Sequence, residues 1–208
     1  MAGKGLFVSL EGIDGSGKST QMRLLSSALA KHGDMVVSTR EPGGAPGAEI
    51  IRALLVEGAT DRWSPETEIL LFTAARRDHV ERTIQPALDA GKVVLTDRFA
   101  DSTRVYQGAT RGDLRQLVDD IHDRVISLEP DLTLILDMDP ETALQRGLAR
   151  ASGEDRFEAF GVTFQRKLRA GFQALAAQFP DRCKIVDAAR DEADIAAELR
   201  DHVLARLP

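Results

Sequence analysis

Leu6–Thr20 reads LFVSLEGIDGSGKST. Gly12, Gly17, Lys18 and Ser19 complete the pattern G-x-x-x-x-G-K-S/T, with an apolar run before it and an amphipathic helical pattern after it. Glycines let successive backbone N–H groups turn inward around a phosphate, the lysine adds a point charge beside it, and the serine hydroxyl reaches Mg²⁺. The complete motif in a strand-loop-helix setting sets it apart from a chance glycine-rich turn. Gly12, Ile13, Asp14, Gly15, Ser16, Gly17, Lys18, Ser19 and Thr20 are therefore expected around the phosphates of a nucleoside triphosphate, with Ser19 as one metal-side group.

Working outward, short apolar runs alternate with longer helical patterns. Leu6–Leu10, Met35–Thr39, Val93–Thr96, Leu132–Leu136 and Lys184–Val186 are rich in Val, Ile or Leu with little alternation, which suits strands buried on both faces. Between them, Met22, Leu25 and Leu29 share a helical stripe that stops at Gly33, and Ser64-Pro65 opens a long helical stretch toward Gly91 that Pro86 is expected to kink or split. Further helices are expected around Leu114–Val125, after Asp139-Pro140 and around Ile195–Val203. Such alternation calls for a parallel sheet covered by helices on both sides. At 208 residues the chain is expected to form one domain spanning 1–208.

Composition narrows the partners. A net charge of −6 disfavours a surface that coats nucleic acid, so the cations serving an anionic ligand must be gathered locally. No apolar run approaches a membrane span, and the N-terminus enters the first strand without room for a cleavable segment, so a cytoplasmic protein is expected. The single cysteine, Cys183, suits packing, and the four histidines lack metal-ligand spacing.

Parallel strands end at one sheet edge, so the residues after each run gather near the loop. Thr39–Gly44, TREPGG, places Arg40 at a Pro-Gly turn where it faces either an anion or solvent. Asp97-Arg98 ends the third run: the acid suits Mg²⁺ and the arginine suits a position between two phosphates. Asp137 ends the fourth run and competes with Asp97 for the metal. Finally, residues 143–160, ALQRGLARASGEDRFEAF, carry Arg146, Arg150 and Arg156 around a small-residue interruption. They read either as a small helical lid offering cations to a phosphate or as a solvated basic face.

Taken together in order, EGIDGSGKST, TREPGG, FTAAR at Phe72–Arg76, DRFADSTRVYQG at Asp97–Gly108, PDLTLILD at Pro130–Asp137 and the lid ending DRFE at Asp155–Glu158 resemble the thymidylate kinase family. That resemblance implies a P-loop nucleoside monophosphate kinase-like, three-layer α/β/α fold with a five-stranded parallel sheet. It implies transfer of the γ-phosphate of ATP to dTMP with Mg²⁺, in dTTP synthesis, by a homodimer. Phe72 resembles the aromatic that stacks on thymine, although in its apolar run it otherwise reads as core, and Arg76 resembles the arginine that bonds an exocyclic oxygen of the base. Ser102, Thr103, Tyr106 and Gln107 resemble the base- and sugar-side lining. Asp14 matches the carboxylate facing the 3′-hydroxyl, and Arg98 the arginine clamping acceptor phosphate and transferring group. Gly15 stands where one branch of the family carries a loop arginine, so the sequence resembles the bacterial branch, which supplies that cation from the lid. Phe172 replaces a usual tyrosine.

For a phosphate-monoester acceptor, whose second pKa is about 6, the nucleophile is already largely a dianion near neutral pH. Lys18, Asp97-bound Mg²⁺, Arg98 and a lid arginine are thus the expected catalytic groups, and no general base is required. A deoxynucleoside kinase is the alternative; it needs a carboxylate to deprotonate a sugar hydroxyl. A GTPase switch needs an N-K-x-D segment, and the sequence has none.

Overall fold

The computed structural model describes residues 5–33, 35–58, 62–109, 112–148 and 161–207. Among them five parallel strands form one sheet: β1 (Leu6–Glu11), β2 (Val36–Arg40), β3 (Val93–Asp97), β4 (Leu132–Asp137) and β5 (Cys183–Asp187), in the order β2-β3-β1-β4-β5. Each strand runs one residue past the expected apolar run, so Glu11, Arg40, Asp97, Asp137 and Asp187 are strand residues at one edge. Register aligns Leu10 and Arg40 with Asp97, and Asp137 with Asp187.

Side chains alternate across the sheet, and the two faces bury different helices. Leu6, Val8 and Leu10 pack with Leu25 and Leu29 of α1 (Lys18–His32), Leu168 and Phe172 of α8 (Gly161–Gln178), and Leu199 of α9 (Glu192–Leu204). Phe7, with Val94, faces Val80, Ile84, Leu88, Phe99 and Ile126 on the other side. This is the three-layer α/β/α arrangement, with β1 at its centre. Burial on both faces holds for β1, β3 and β4; β2 and β5 are half-exposed because each lies at an edge of the sheet.

Of the expected kink or split before Gly91, the structure shows a local widening without a break. Ser64 caps α3 (Pro65–His79) by accepting the Thr67 N–H, and α3 runs through a π-helical turn, Val80–Ile84, into α4 (Gln85–Asp89). Pro86 has no N–H and its ring crowds the carbonyl four residues back, so the helix widens just before it rather than breaking. Helix α2 (Pro46–Val56) lies outside the elements expected from the sequence. Short α5 (Ala100–Thr103) leads into a second π-helical turn, Arg104–Ala109, and then α6 (Arg115–Val125). Helix α7 (Pro140–Leu148) opens the expected lid, whose remainder, including Arg150 and Arg156, lies outside the described residues.

Cys183 is buried, and burial pushes its thiol up to about 12, which suits packing. The carboxylate of Asp101, also fully buried, accepts two bonds from Arg182, at 2.5 and 2.9 Å, one from Arg104 at 2.9 Å and one from Thr133 Oγ1 at 3.0 Å. It ties α5 to β4 and to the turn before β5, and removing one side of such a cluster leaves buried charge uncompensated. Asp101→Asn is expected to lower unfolding free energy by about 3 kcal/mol in chemical denaturation. A loss below about 1 kcal/mol, the range of exposed pairs, contradicts this reading.

Candidate active site

The loop after β1 turns through Gly12, Gly15 and Gly17, all at positive φ, and Gly17 caps α1. Lys18 is buried and donates from Nζ to the Gly12 and Ile13 carbonyls at 3.2 and 3.0 Å. Burial, with Arg98 adding to it, pushes Lys18 down to about 8. Among the described residues Ser16 Oγ, which is buried, has no hydrogen-bond partner, and it suits a phosphate oxygen. Gly15 adopts φ +83°, and a Cβ there would lie 1.9 Å from the Ala143 carbonyl oxygen on α7. Close approach of α7 therefore closes this position to any side chain, arginine included.

The two metal candidates differ in their surroundings. Ser19 Oγ donates to Asp97 Oδ2 at 3.2 Å, at the tip of β3 beside the loop. Asp137 instead accepts two 2.7 Å bonds from Arg169 of α8. Mg²⁺ takes oxygen donors and usually keeps few protein ligands alongside substrate phosphates, so the hydroxyl and carboxylate of Ser19 and Asp97 fit it. Among the described residues no cluster of three or more His, Cys, Asp or Glu exists to hold a metal alone.

Arg98 follows Asp97 with φ +70°, a conformation rare for a side-chain-bearing residue. Its N–H bonds the Leu10 carbonyl at 2.9 Å, and the guanidinium reaches across the loop. Nη1 donates to Gly12 O at 3.0 Å and Ser102 Oγ at 2.9 Å; Nη2 donates to Asp14 Oδ1 at 2.5 Å and Tyr106 Oη at 3.0 Å. The Tyr106 hydroxyl donates to Asp14 Oδ2 at 2.9 Å. Burial works against the Arg98 charge, but Tyr106, Asp14, Asp97 and Glu11 outweigh it and hold its pKa above the ordinary value. Burial likewise opposes the Asp14 carboxylate, and Arg98 and Lys18 more than offset it, keeping it below its usual value. The guanidinium thus spans from the phosphate loop into a neighbouring cavity.

That cavity is lined by Asp14, Phe72, Arg76, Arg98, Ser102, Thr103, Tyr106 and Gln107, which the structure brings together from the loop, α3 and the segment after β3. Phe72 is only half-buried and turns to the cavity rather than the core. Arg76 is nearly fully buried: Nε donates to Glu41 Oε2 at 2.8 Å and Nη2 to Thr103 Oγ1 at 3.0 Å, and neither bond uses Nη1. Glu41 is held in turn by His79 Nδ1 at 3.1 Å, whose Nε2 meets Thr39 Oγ1 at 2.7 Å. Gly44, at φ +82°, makes room, since a Cβ there would stand 2.4 Å from both His79 Nε2 and Thr39 Oγ1. Gln107 is anchored to Glu68 at 3.1 Å.

Arg40 stands apart from this group. Its Nη2 pairs with Glu49 at 3.0 Å, and it lines a separate groove with Ser19, Arg23 and Asp97. The cavity is also lined by Arg52 of α2, which donates to the Pro42 carbonyl at 2.6 Å. Sequence reasoning missed Arg52 and Glu41; Glu41 at least lies inside TREPGG, where a glutamate before Pro-Gly was a usable signal. On the other side of the loop, Arg146 donates to Met138 Sδ at 3.4 Å and shares a groove with Gly15, Gly17, Thr20, Gln21 and Arg190.

A phosphate loop at the switch point of a parallel sheet, with an aromatic-lined cavity one guanidinium away, defines the class of P-loop kinases. The sequence profile of "Thymidylate kinase" matches residues 10–199. The chain is 70% identical over 202 residues to the thymidylate kinase of Jannaschia sp. (strain CCS1), covering 97% of each, and 52% identical over 205 residues to that of Caulobacter vibrioides, covering 98% of each. The crystal structure of thymidylate kinase from Ehrlichia chaffeensis superposes with a TM-score of 0.78 at 34% identity, covering 97% of this chain and 99% of that one. The chain belongs to the thymidylate kinase family.

Proposed function

We propose that this enzyme transfers the γ-phosphoryl group of ATP to dTMP with Mg²⁺, giving dTDP and ADP. The observation that carries this reading is Arg98, which touches the phosphate loop at Gly12 O and the cavity groups Asp14, Ser102 and Tyr106 with one guanidinium. An acceptor phosphate next to it lies beside the triphosphate. Thymine fits between Phe72 and the Arg76 edge, where Nη1 donates to a base carbonyl oxygen, and Asp14 faces the sugar.

The acceptor phosphate brings its own nucleophilic charge, so the residues position and neutralise rather than deprotonate. Lys18 and the loop N–H groups hold the triphosphate, and Arg98 draws the two anions into line. Ser19 and Asp97 would hold Mg²⁺, which would supply charge neutralisation at the triphosphate. Because Gly15 carries no side chain, the cation for the spreading charge comes from the lid sequence, with Arg146, Arg150 and Arg156 as candidates. The 1–208 chain is read as one domain with a lid at 143–160, working in the cytoplasm. Among the described residues no helix is long and apolar enough to cross a membrane.

The exposed apolar residues Ile50 and Leu54 of α2 and Leu70 of α3, with Leu117 and Val125 of α6, suit a homodimer built on these helices. Ile50→Asp with Leu70→Asp is expected to convert a sedimenting dimer to monomer; a dimer unmoved by both changes places the interface elsewhere.

Incubation with ATP, Mg²⁺ and a panel of dTMP, dUMP, thymidine and other nucleoside monophosphates tests the activity. Rapid phosphorylation of dTMP is expected, and phosphorylation of thymidine but not dTMP overturns it. Arg98→Ala is expected to lower turnover about 10³-fold or more, as loss of a transferring-group arginine does; near-normal ADP release removes its role. Separate replacement of the three lid arginines identifies the lid cation, and no loss from any of them rejects the lid assignment.

A further inference from the structure

Glu11 is fully buried at the end of β1, on the same face as Phe7 and Ser9, and takes no part in the chemistry described above. Its Oε1 accepts the Ser9 hydroxyl and the Phe99 N–H, both at 2.8 Å, and its Oε2 accepts the Ser102 hydroxyl at 2.6 Å. Two of these three donors flank Arg98. Phe99 N–H belongs to the peptide immediately after the left-handed Arg98, whose own carbonyl accepts Thr96 Oγ1 at 2.8 Å. Ser102 Oγ, while donating to Glu11, accepts from Arg98 Nη1 at 2.9 Å.

We infer that Glu11 is the positioning residue for Arg98. It fixes the backbone that launches the guanidinium and, through Ser102, the plane in which the guanidinium meets the two phosphates. This rests on the reading of Arg98 as the arginine shared by donor and acceptor. The bond directions require the ionised carboxylate. Phe99 N–H, Ser9 O–H and Ser102 O–H all donate to it, and Ser102 keeps a lone pair for Arg98 only while its own proton points at Glu11. A protonated or amide side chain turns one bond round, so that Ser102 oxygen receives two donors and its proton has no acceptor at Glu11.

Charge around Glu11 tunes this arrangement. Burial first, and then the Asp101 carboxylate on α5, raise it to about 7, while Arg98 and the Ser102 and Ser9 hydroxyls pull it down. Lys18 on α1 and the buried Cys183 thiol on β5 also feel its charge. Because the ionised form is the competent one, its contribution is present above this value and lost as pH falls through it.

The test is Glu11→Gln, nearly isosteric, with Ser102→Ala and the double variant, assayed with ATP, Mg²⁺ and dTMP beside the wild type. Glu11→Gln is expected to lower kcat about 10²-fold, the scale of a misplaced catalytic group, with the dTMP KM within about threefold of wild type. The double variant is expected to lose no more than the worse single one, because both act through one bond chain. The wild-type acid limb near pH 7 should vanish in Glu11→Gln, leaving the substrate phosphate limb at about 6. A merely structural role lowers the thermal midpoint and the active fraction but leaves kcat per folded molecule, the coupling to Ser102 and the acid limb unchanged; any of these three results overturns the inference. A wild type that fails on dTMP overturns the function instead, whereas an active wild type matched by Glu11→Gln overturns only the role of Glu11.

Discussion

One buried guanidinium, that of Arg98, spans the phosphate loop and the neighbouring cavity, and the fold is arranged to hold it there. Arg98 leaves β3 in a left-handed conformation, which costs about 1–3 kcal/mol for a residue with a side chain unless its surroundings enforce it. They do so at every point: Leu10 O receives its N–H, Thr96 Oγ1 bonds its carbonyl, and Glu11 takes the next N–H. Asp14, Ser102, Tyr106 and the Gly12 carbonyl occupy the guanidinium itself. In a buried setting an unpaired cation is far more costly than a paired one, so these acceptors hold the arginine in place.

The central strand explains how this is reached. β1 neighbours both β3 and β4, so its end lies at the point where the sheet order reverses and loops diverge. Its odd-numbered residues descend from Phe7 in the core through Ser9 to Glu11 under Arg98, while its even-numbered residues pack on α1, α8 and α9. One strand thereby joins core packing to site geometry. The Thr39–His79–Glu41–Arg76 chain gives the cavity a second rigid support, built from β2 and α3.

Much of this was legible in the sequence. Strand ends and the phosphate loop were visible because unalternating apolar runs and a full G-x-x-x-x-G-K-S motif depend on local order alone. Phe72 was not visible from its apolar run: only the turn of α3 that points it away from the core distinguishes it from Ile69, which is buried. Choosing between Asp97 and Asp137 needed tertiary partners, because Arg169 reaches Asp137 from 32 positions away. The pairing of Arg40 with Glu49 depends on α2, an element the periodicity did not reveal, and Arg52 reached the cavity by the same route. Glu11 stands inside the motif, yet a glutamate ending a strand carries no local sign of what it will accept.

Two anions meeting at Arg98 in one chain are the central expectation, and a single compound measures that directly. Adenosine and thymidine joined 5′ to 5′ through a pentaphosphate fill both sites at once. Titration calorimetry is expected to give one molecule per chain, bound at least about 100-fold tighter than dTMP alone in wild type and with that gain removed in Arg98→Ala. Binding no tighter than ATP alone, or a gain that survives Arg98→Ala, contradicts it.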